Sequence, residues 1–262
     1  MKNHSQSTLL VSIVTVVYNG VGAINATLKS VLGQSYPNIQ YVVIDGGSTD
    51  GTRQVIIKYQ DQIDVYISEP DLGIYDAMNK ALLYCKGTWV NYMNCGDIFY
   101  SSNTVEIIFN ELLSREADLL FGKHVVSYYE KLTPKLPNPI NELWKGMTIQ
   151  HQSIFAKTEV LLERKFNLSY KFAADYNFLY DCYKHGYNIV YLDVFVSIVA
   201  AQGFSESNSI ETYKEFRKIA LKHENGNPAV IKYYAKLLLN RRLVSIFKKT
   251  FPFANKLRLI YK

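Results

Sequence analysis

Cysteine is scarce in this chain of 262 residues: Cys85, Cys95 and Cys182 stand alone, with no Cys-x-x-Cys pair. That excludes a disulfide scaffold and a zinc finger, and it reads as a reducing, cytoplasmic setting. No apolar run approaches the ~20 residues that a membrane-spanning helix needs. The run over residues 9–17 is too short and lacks a signal-peptide cleavage pattern. No Gly-x-Gly-x-x-Gly follows the first strand signal and no Gly-x-x-x-x-Gly-Lys-Ser/Thr occurs anywhere, which excludes a Rossmann dinucleotide site and a P-loop. Internal repeats and low-complexity segments are absent. Acidic residues are missing from residues 228–262, which hold nine Lys and Arg. The net charge of +6 therefore sits in the tail, and the rest of the chain is left at about −3. Nucleic-acid binding is not indicated, because no recognition motif accompanies that charge.

What is present is an alternation of strand and helix signals. Residues 10–17 form a continuous β-branched run, as a buried parallel strand does. Ile24, Leu28, Val31 and Leu32 follow at helical spacing, with Gly33 as a stop. Residues 39–45 read as a second strand, and Ser48, Thr49 and Asp50 offer caps for a helix to residue 59. A short strand over 65–68, a helix over 74–85 and a strand over 89–93 complete the pattern. This order predicts an α/β fold, a mostly parallel sheet with helices on both faces. The order then loosens. A helix is predicted over 104–114, strands within 118–129, a Pro-containing loop over 131–141, a strand over 152–155, a helix over 175–185 stopped by Gly186, and strands over 188–199. Beyond residue 205 only helices are indicated, one starting at Pro228 with Asn227 as its cap. The expected organisation is a catalytic domain, 1–205, and a basic helical C-terminal extension, 206–262. Leu237, Leu238, Leu239 and Leu243 among Lys and Arg suit an interfacial helix on anionic lipid. The alternative is an amphipathic helix packed on the body with its basic face in water.

Open parallel sheets bind ligands beyond the carboxyl ends of their strands. Four consecutive ends carry polar or acidic residues here: Thr15, Tyr18 and Asn19; Asp45 and Ser48; Ser68, Glu69 and Asp71; Asn94 and Asp97. One such end is commonplace in turns; four together point to a site. Carboxylates repel a diphosphate unless a divalent cation bridges them, and Mg²⁺ or Mn²⁺ prefers such oxygen ligands.

Three segments carry a resemblance: Val-Ser-Ile-Val-Thr-Val-Val-Tyr-Asn from Val11, Val-Ile-Asp-Gly-Gly-Ser-Thr-Asp-Gly-Thr from Val43, and Ser-Glu-Pro-Asp-Leu-Gly-Ile-Tyr-Asp-Ala-Met-Asn-Lys-Ala from Ser68. Together they resemble glycosyltransferase family 2, strongly over residues 10–99 and more weakly to about residue 205, through His151-Gln152 and Ala174-Asp175. The resemblance implies the GT-A fold and an inverting enzyme. Such an enzyme moves a sugar from a nucleotide diphosphate donor, UDP-sugar favoured, to a polyprenyl-linked saccharide. It implies that Thr15, Tyr18 and Asn19 flank the nucleoside and that Asp45 approaches the base or ribose. Asp71, Gly73, Asp76 and Asn79 would line the donor sugar and ribose. Asp97 would meet Mn²⁺ or Mg²⁺ with Asn94 beside it, Asp175 would be the general base, and His151 and Gln152 would border the acceptor or diphosphate.

Two departures stand out. Asp-Asp-Gly-Ser is Asp45-Gly46-Gly47-Ser48 here, and Asp-x-Asp-Asp is Asn94-Cys95-Gly96-Asp97. The first removes a carboxylate from the base side. The second leaves one carboxylate for a metal. They motivate an alternative, a catalytically silent nucleotide-sugar-binding protein on the same fold. A nucleotidyltransferase would bring a Gly-rich loop with Lys or Arg after the first strand, which is missing. Structural alternatives accompany single residues: Asp175 as an N-cap, Asp50 as a helix-start residue, Asp76 as a solvated helix residue, His151 as an ordinary buried histidine and Cys95 as a filler. Residues 202–205 suit either a loop closing over the donor or a plain turn.

Overall fold

β1 (Val11–Val17) is buried along its whole length, and its side chains alternate between two cores. Val14 and Val16 face one side of the sheet; Val11, Ile13 and Val17 face the other. β2 (Ile39–Asp45) does the same with Val42 and Ile44 against Tyr41 and Val43. A period of two with apolar residues on both faces is what a central strand covered by helices requires. The computed structural model describes residues 9–112, 116–128, 131–201 and 208–250.

The strands lie in the order β3-β2-β1-β4-β8-β6-β9-β5, with β7 also on β6. β3 (Val65–Ser68), β2, β1 and β4 (Trp89–Tyr92) are parallel, so their carboxyl ends share one edge. The other half is mixed. β8 (Ile154–Lys157) is antiparallel to β4 and to β6 (Leu119–Tyr128), β9 (Ile189–Ala200) is parallel to β6, and β5 (Ile98–Phe99) is antiparallel to β9. β6 changes partner along its length: residues 119–121 pair with β8, and residues 124–128 pair with β7 (Lys131–Lys135). The segment predicted as a Pro-containing loop over 131–141 is thus partly strand. Pro134 is tolerated because β7 has β6 as its only partner strand among the described residues.

α1 (Ile24–Leu32), α2 (Thr52–Ile57) and α4 (Thr104–Leu112) belong to one face; α3 (Ile74–Ala81), α5 (Thr158–Arg164) and α6 (Ala174–Lys184) belong to the other. α3 ends four residues earlier than its apolar pattern suggested. α5 lies in a stretch with no prior prediction. α7 (Ser209–His223) and α8 (Pro228–Thr250) are the expected helices of the extension. Pro228 occupies the first turn of α8, where no backbone N–H is needed, and Asn227 Oδ1 accepts from Ala229 N at 2.9 Å. Ile219, Ala220, Val230 and Tyr234 bury into the same core as α6. Residues 205 and 206, where the domain boundary was placed, lie outside the described residues, as does the 202–205 loop. Past Leu238, the α8 side chains Leu239, Leu243 and Val244 are exposed, while Arg241 donates to Tyr213 Oη of α7 at 3.1 Å. Among the described residues no helix is long and apolar enough to cross a membrane.

Candidate active site

A cavity of about 760 Å³ opens at the carboxyl ends of β1 and β4. Its walls are residues 16–20 at the end of β1, Ala23, residues 71–77 at the start of α3, Asn94 and Cys95 after β4, and Leu168, Tyr170 and Lys171 from the loop before α6. Tyr18 keeps 65% of its surface exposed on this wall. An aromatic face left in water beside a cavity suits stacking on a planar ring.

Several predicted site residues hold this rim together from within. Thr15 is fully buried; its Oγ1 donates to Met93 O at 2.8 Å and lies 2.8 Å from Tyr41 Oη. Asp45 is fully buried as well, accepting from Ser48 N at 3.1 Å and Ser68 Oγ at 2.6 Å. The structure brings neither to the cavity. Asn19 adopts φ 49°, a left-handed value that Asn tolerates, and its Oδ1 accepts from Thr49 N at 2.9 Å while its own N donates to Ser48 Oγ. The first two strand ends are thereby tied to each other. Asp50 accepts from Thr52 N, as a helix-start residue does. Asp76 lines the cavity and reaches back to Leu72 N at 2.9 Å, which explains an Asp in the first turn of α3. Asn79 clamps the backbone of Phe166 from both sides, donating to its carbonyl at 2.8 Å and accepting from its N–H at 2.9 Å.

Gly46 and Asp71 explain one departure noted in the sequence. A Cβ at position 46 would lie 2.3 Å from Asp71 Oδ2. The Asp71 carboxylate, whose Oδ1 accepts from Gly73 N at 2.8 Å, already occupies the space in which a side chain at 46 would begin. A carboxylate therefore reaches the end of β2 from the loop after β3. Gly20 and Cys95 repeat the logic, since a Cβ at 20 would meet Cys95 Sγ at 2.5 Å. Burial, then Asp97 and Asp50, push the Cys95 thiol up to about 12, so it fills space and is no nucleophile.

Four distant segments meet behind Asn94 and Tyr75 at the inner end of the cavity; Asn94 and Tyr75 line it, and His151, Gln152, Asp97 and Asp175 stand behind them. His151 stands between Asn94 and Asp175: Nε2 is 2.9 Å from Asn94 Nδ2, and Nδ1 is 3.1 Å from Asp175 Oδ2. A carboxylate only accepts, so Nδ1 carries the proton, and Nε2 accepts from the Asn94 amide. Asp175 Oδ1 also accepts from Tyr75 Oη at 2.8 Å and from Tyr176 N at 2.9 Å. Tyr75 is a cavity-wall residue that the sequence reading passed over; nothing but its place inside a motif marked it. Asp175 is the second residue of α6, whose N-cap is Ala173, so it is not the cap. Burial pushes its carboxyl up, but His151, Tyr75 and Tyr176 N outweigh that and hold it below its ordinary range. Asp97 goes the other way. Burial raises it, and Gln152, His151 and Ala200 N offset the rise only in part. Its Oδ2 accepts from Gln152 Nε2 at 2.5 Å, and its Oδ1 from Ala200 N at 3.2 Å.

The profile described as "Glycosyl transferase family 2" matches residues 12–183. The chain belongs to glycosyl transferase family 2. Among curated relatives, the Escherichia coli "UDP-Glc:alpha-D-GlcNAc-diphosphoundecaprenol beta-1,3-glucosyltransferase WfgD" is 29% identical over 131 residues, 50% of this chain and 51% of its own. An uncharacterized glycosyltransferase of Rickettsia typhi is 29% identical over 195 residues, 68% of this chain and 59% of its own. The chain thus spans between half and three-fifths of the lengths of these two relatives. S. aureus TarS in complex with UDP-GlcNAc superposes with a TM-score of 0.69 at 18% identity, over 93% of this chain and 75% of that one. A mannosyltransferase from Pyrobaculum calidifontis, in complex with GDP-Man and Mn2+, gives 0.62 at 16% identity over 98% and 82%. At these identities the two structures share the fold with this chain, which is the GT-A fold of the family 2 match.

Asp97 is the one carboxylate of the Asn94–Asp97 turn. Among the described residues no three His, Cys, Asp or Glu side chains cluster as a metal site. Asp97 and Asn94 share one turn, closed by Asp97 N donating to Asn94 O at 3.0 Å, and Asn94 Oδ1 is buried with no hydrogen-bond partner. One carboxylate and one orphaned amide oxygen fit a hard cation that draws its other ligands from a diphosphate and water.

Proposed function

We propose that this family 2 enzyme transfers a sugar with inversion from a nucleotide diphosphate donor, UDP-sugar favoured, to a polyprenyl-linked saccharide at the cytoplasmic face of a membrane. The observation that carries the reading is Asp175: a carboxylate kept ionised by three donors, one of them a cavity-wall tyrosine. An inverting transfer needs a base on the acceptor side. The acceptor oxygen bonds to the anomeric carbon as the bond from that carbon to the diphosphate breaks, and the hydroxyl proton passes to Asp175. The transition state has oxocarbenium character. Tyr75 and His151 hold Asp175 and keep its lone pairs directed. Asp97 and Asn94 would hold Mg²⁺ or Mn²⁺, which supplies Lewis-acid neutralisation of the leaving group. Tyr18 stacks on the base, Asn19 and Ser48 fix the rim beneath it, and Asp71, Gly73 and Asp76 face the ribose and donor sugar. Gln152 fixes Asp97.

The donor side is supported by the printed ligands of the structural neighbours, UDP-GlcNAc and GDP-Man, and the acceptor by the diphosphoundecaprenol of the WfgD name. The exposed Leu239 and Leu243 beside Lys232, Lys236 and Arg242 support contact of α8 with anionic lipid. Vesicles rich in phosphatidylglycerol should float the protein and neutral ones should not; equal recovery from both removes that contact. A thermal-shift screen across nucleotide sugars, with and without Mn²⁺, tests the donor reading. UDP-sugars should raise the melting temperature most, and slow donor hydrolysis should accompany binding. Binding without any hydrolysis or transfer means the silent binder instead; no shift with any nucleotide sugar overturns both.

A further inference from the structure

Lys171 is the one basic residue among the described residues that line the cavity. Asp71 and Asp76 line it too; Asp76 is paired with Lys80 Nζ at 3.5 Å, which lies behind the wall, so Lys171 is the ammonium on the wall itself. At the Asn94–Asp97 turn, two of the three acidic positions of the Asp-x-Asp-Asp pattern are Asn94 and Gly96. A departing diphosphate gathers negative charge as the glycosidic bond breaks, and a cavity that leaves this charge unopposed slows the step.

The loop that carries Lys171 is pinned at both ends. Asn79 holds Phe166 at its start. At its end, Glu215 of α7 accepts from Lys171 N at 2.9 Å and from Phe172 N at 2.8 Å, one oxygen to each. Phe216, next along α7, packs on Tyr176 of α6 with ring centroids 4.6 Å apart, so Glu215 sits where α7 is packed against α6. The Lys171 ammonium itself is 5.8 Å from the Phe172 ring centroid, at the outer limit of a cation–π contact, and its side chain is exposed. The backbone is fixed while the charged end is left to a ligand. The family 2 match ends at residue 183, so Glu215 lies beyond it.

We propose that Lys171 is a catalytic residue that meets the departing diphosphate, and that Glu215 is a positioning residue through which the C-terminal extension presents it. The inference rests on the donor reading above. In the transfer step the electron pair of the broken bond leaves with the diphosphate oxygen, and Lys171 faces that charge without giving up a proton.

The test uses the full chain, with UDP as the diphosphate probe and UMP as the probe lacking the second phosphate. K171M should weaken UDP binding about tenfold and leave UMP within about twofold. It should also lower kcat for donor turnover about 100-fold, and K171R should recover part of both. E215A should move the same quantities in the same direction by less, and should add nothing in the K171M background, because it acts through Lys171. Circular dichroism and unfolding of each variant confirm that the fold persists; in a variant that does not fold, E215Q, which keeps one acceptor oxygen, replaces E215A. K171M with wild-type UDP affinity and turnover overturns the assignment. E215A that matches wild type, or that adds in full to K171M, overturns the positioning half. A wild-type chain that binds no nucleoside diphosphate overturns the donor reading and this inference together, and that result does not depend on any variant.

Discussion

The outer rim of the cavity and its inner end use the same residue types in opposite ways. At the rim, the carboxylates after β2 and in the first turn of α3 hold nearby backbone N–H groups, and Asp45 also holds the Ser68 hydroxyl. Asp45 holds Ser48 and Ser68, Asp50 holds Thr52, and Asp76 holds Leu72. At the inner end, the side chains bind one another across long sequence distances: Asn94 to His151, His151 to Asp175, Asp175 to Tyr75, Gln152 to Asp97. The difference separates shape from chemistry. Removing a rim group should change stability or donor fit; removing an inner group should change the reaction. The inner pair also splits electrostatically, with Asp175 held below and Asp97 raised above the ordinary carboxylate range. Two carboxylates driven apart by their surroundings are suited to different roles.

The largest effect is expected at the inner end. Asp175→Asn should lower turnover by about 10³-fold or more while nucleotide affinity stays near wild type, read by steady-state kinetics beside calorimetry. Unchanged turnover would remove Asp175 from the chemistry. At the rim, Asp45→Ala leaves Ser48 N–H and Ser68 O–H without their acceptor and should cost about 2–4 kcal/mol in urea unfolding, with kcat of the folded fraction little changed. A collapse of kcat without loss of stability would erase the distinction between the two regions. Gly46→Ala lies between them, since its methyl group displaces the Asp71 carboxylate. Donor affinity should fall about tenfold, near 1.4 kcal/mol, without a change in kcat at saturation.

The smallest effect concerns pH. Asp175 accepts a proton only when ionised, and its folded pKa is depressed. Activity should therefore persist as pH falls through the ordinary carboxylate range and be lost only below it. The same depression stabilises the fold above the unfolded pKa and is lost as pH falls through the folded one. Tyr75→Phe removes one donor to Asp175, so the acid limb of the pH–kcat profile should move to higher pH. A limb that stays put would mean that Tyr75 does not act on the base.

The parallel half of the fold was legible because its strands are buried on both faces and read as continuous β-branched runs. β1, β2 and β3 lie within a residue of their expected limits. The mixed half was less so. β5 is two residues long, too short for any period, and β7 contains Pro134. The motif resemblance singled out Asp175, His151, Asn94 and Asp97, which the fold gathers from the end of β4, the turn before β8 and the start of α6. Thr15 and Asp45 carry the right chemistry, but complete burial keeps them from the cavity, and burial is set by neighbours that a strand-end rule does not weigh. Tyr75, Lys171 and Glu215 escaped notice for a related reason. Tyr75 is one of 21 tyrosines, and a lysine in a loop or a glutamate on a helix has no local signature until tertiary structure gives it a partner.

The central claim is a single displacement with Asp175 as base, and the anomeric configuration of the sugar tests it most directly. Proton NMR of the first product formed from an α-linked nucleotide sugar, before mutarotation, should show the β-configured sugar. An α-configured product would mean retention and would contradict the account.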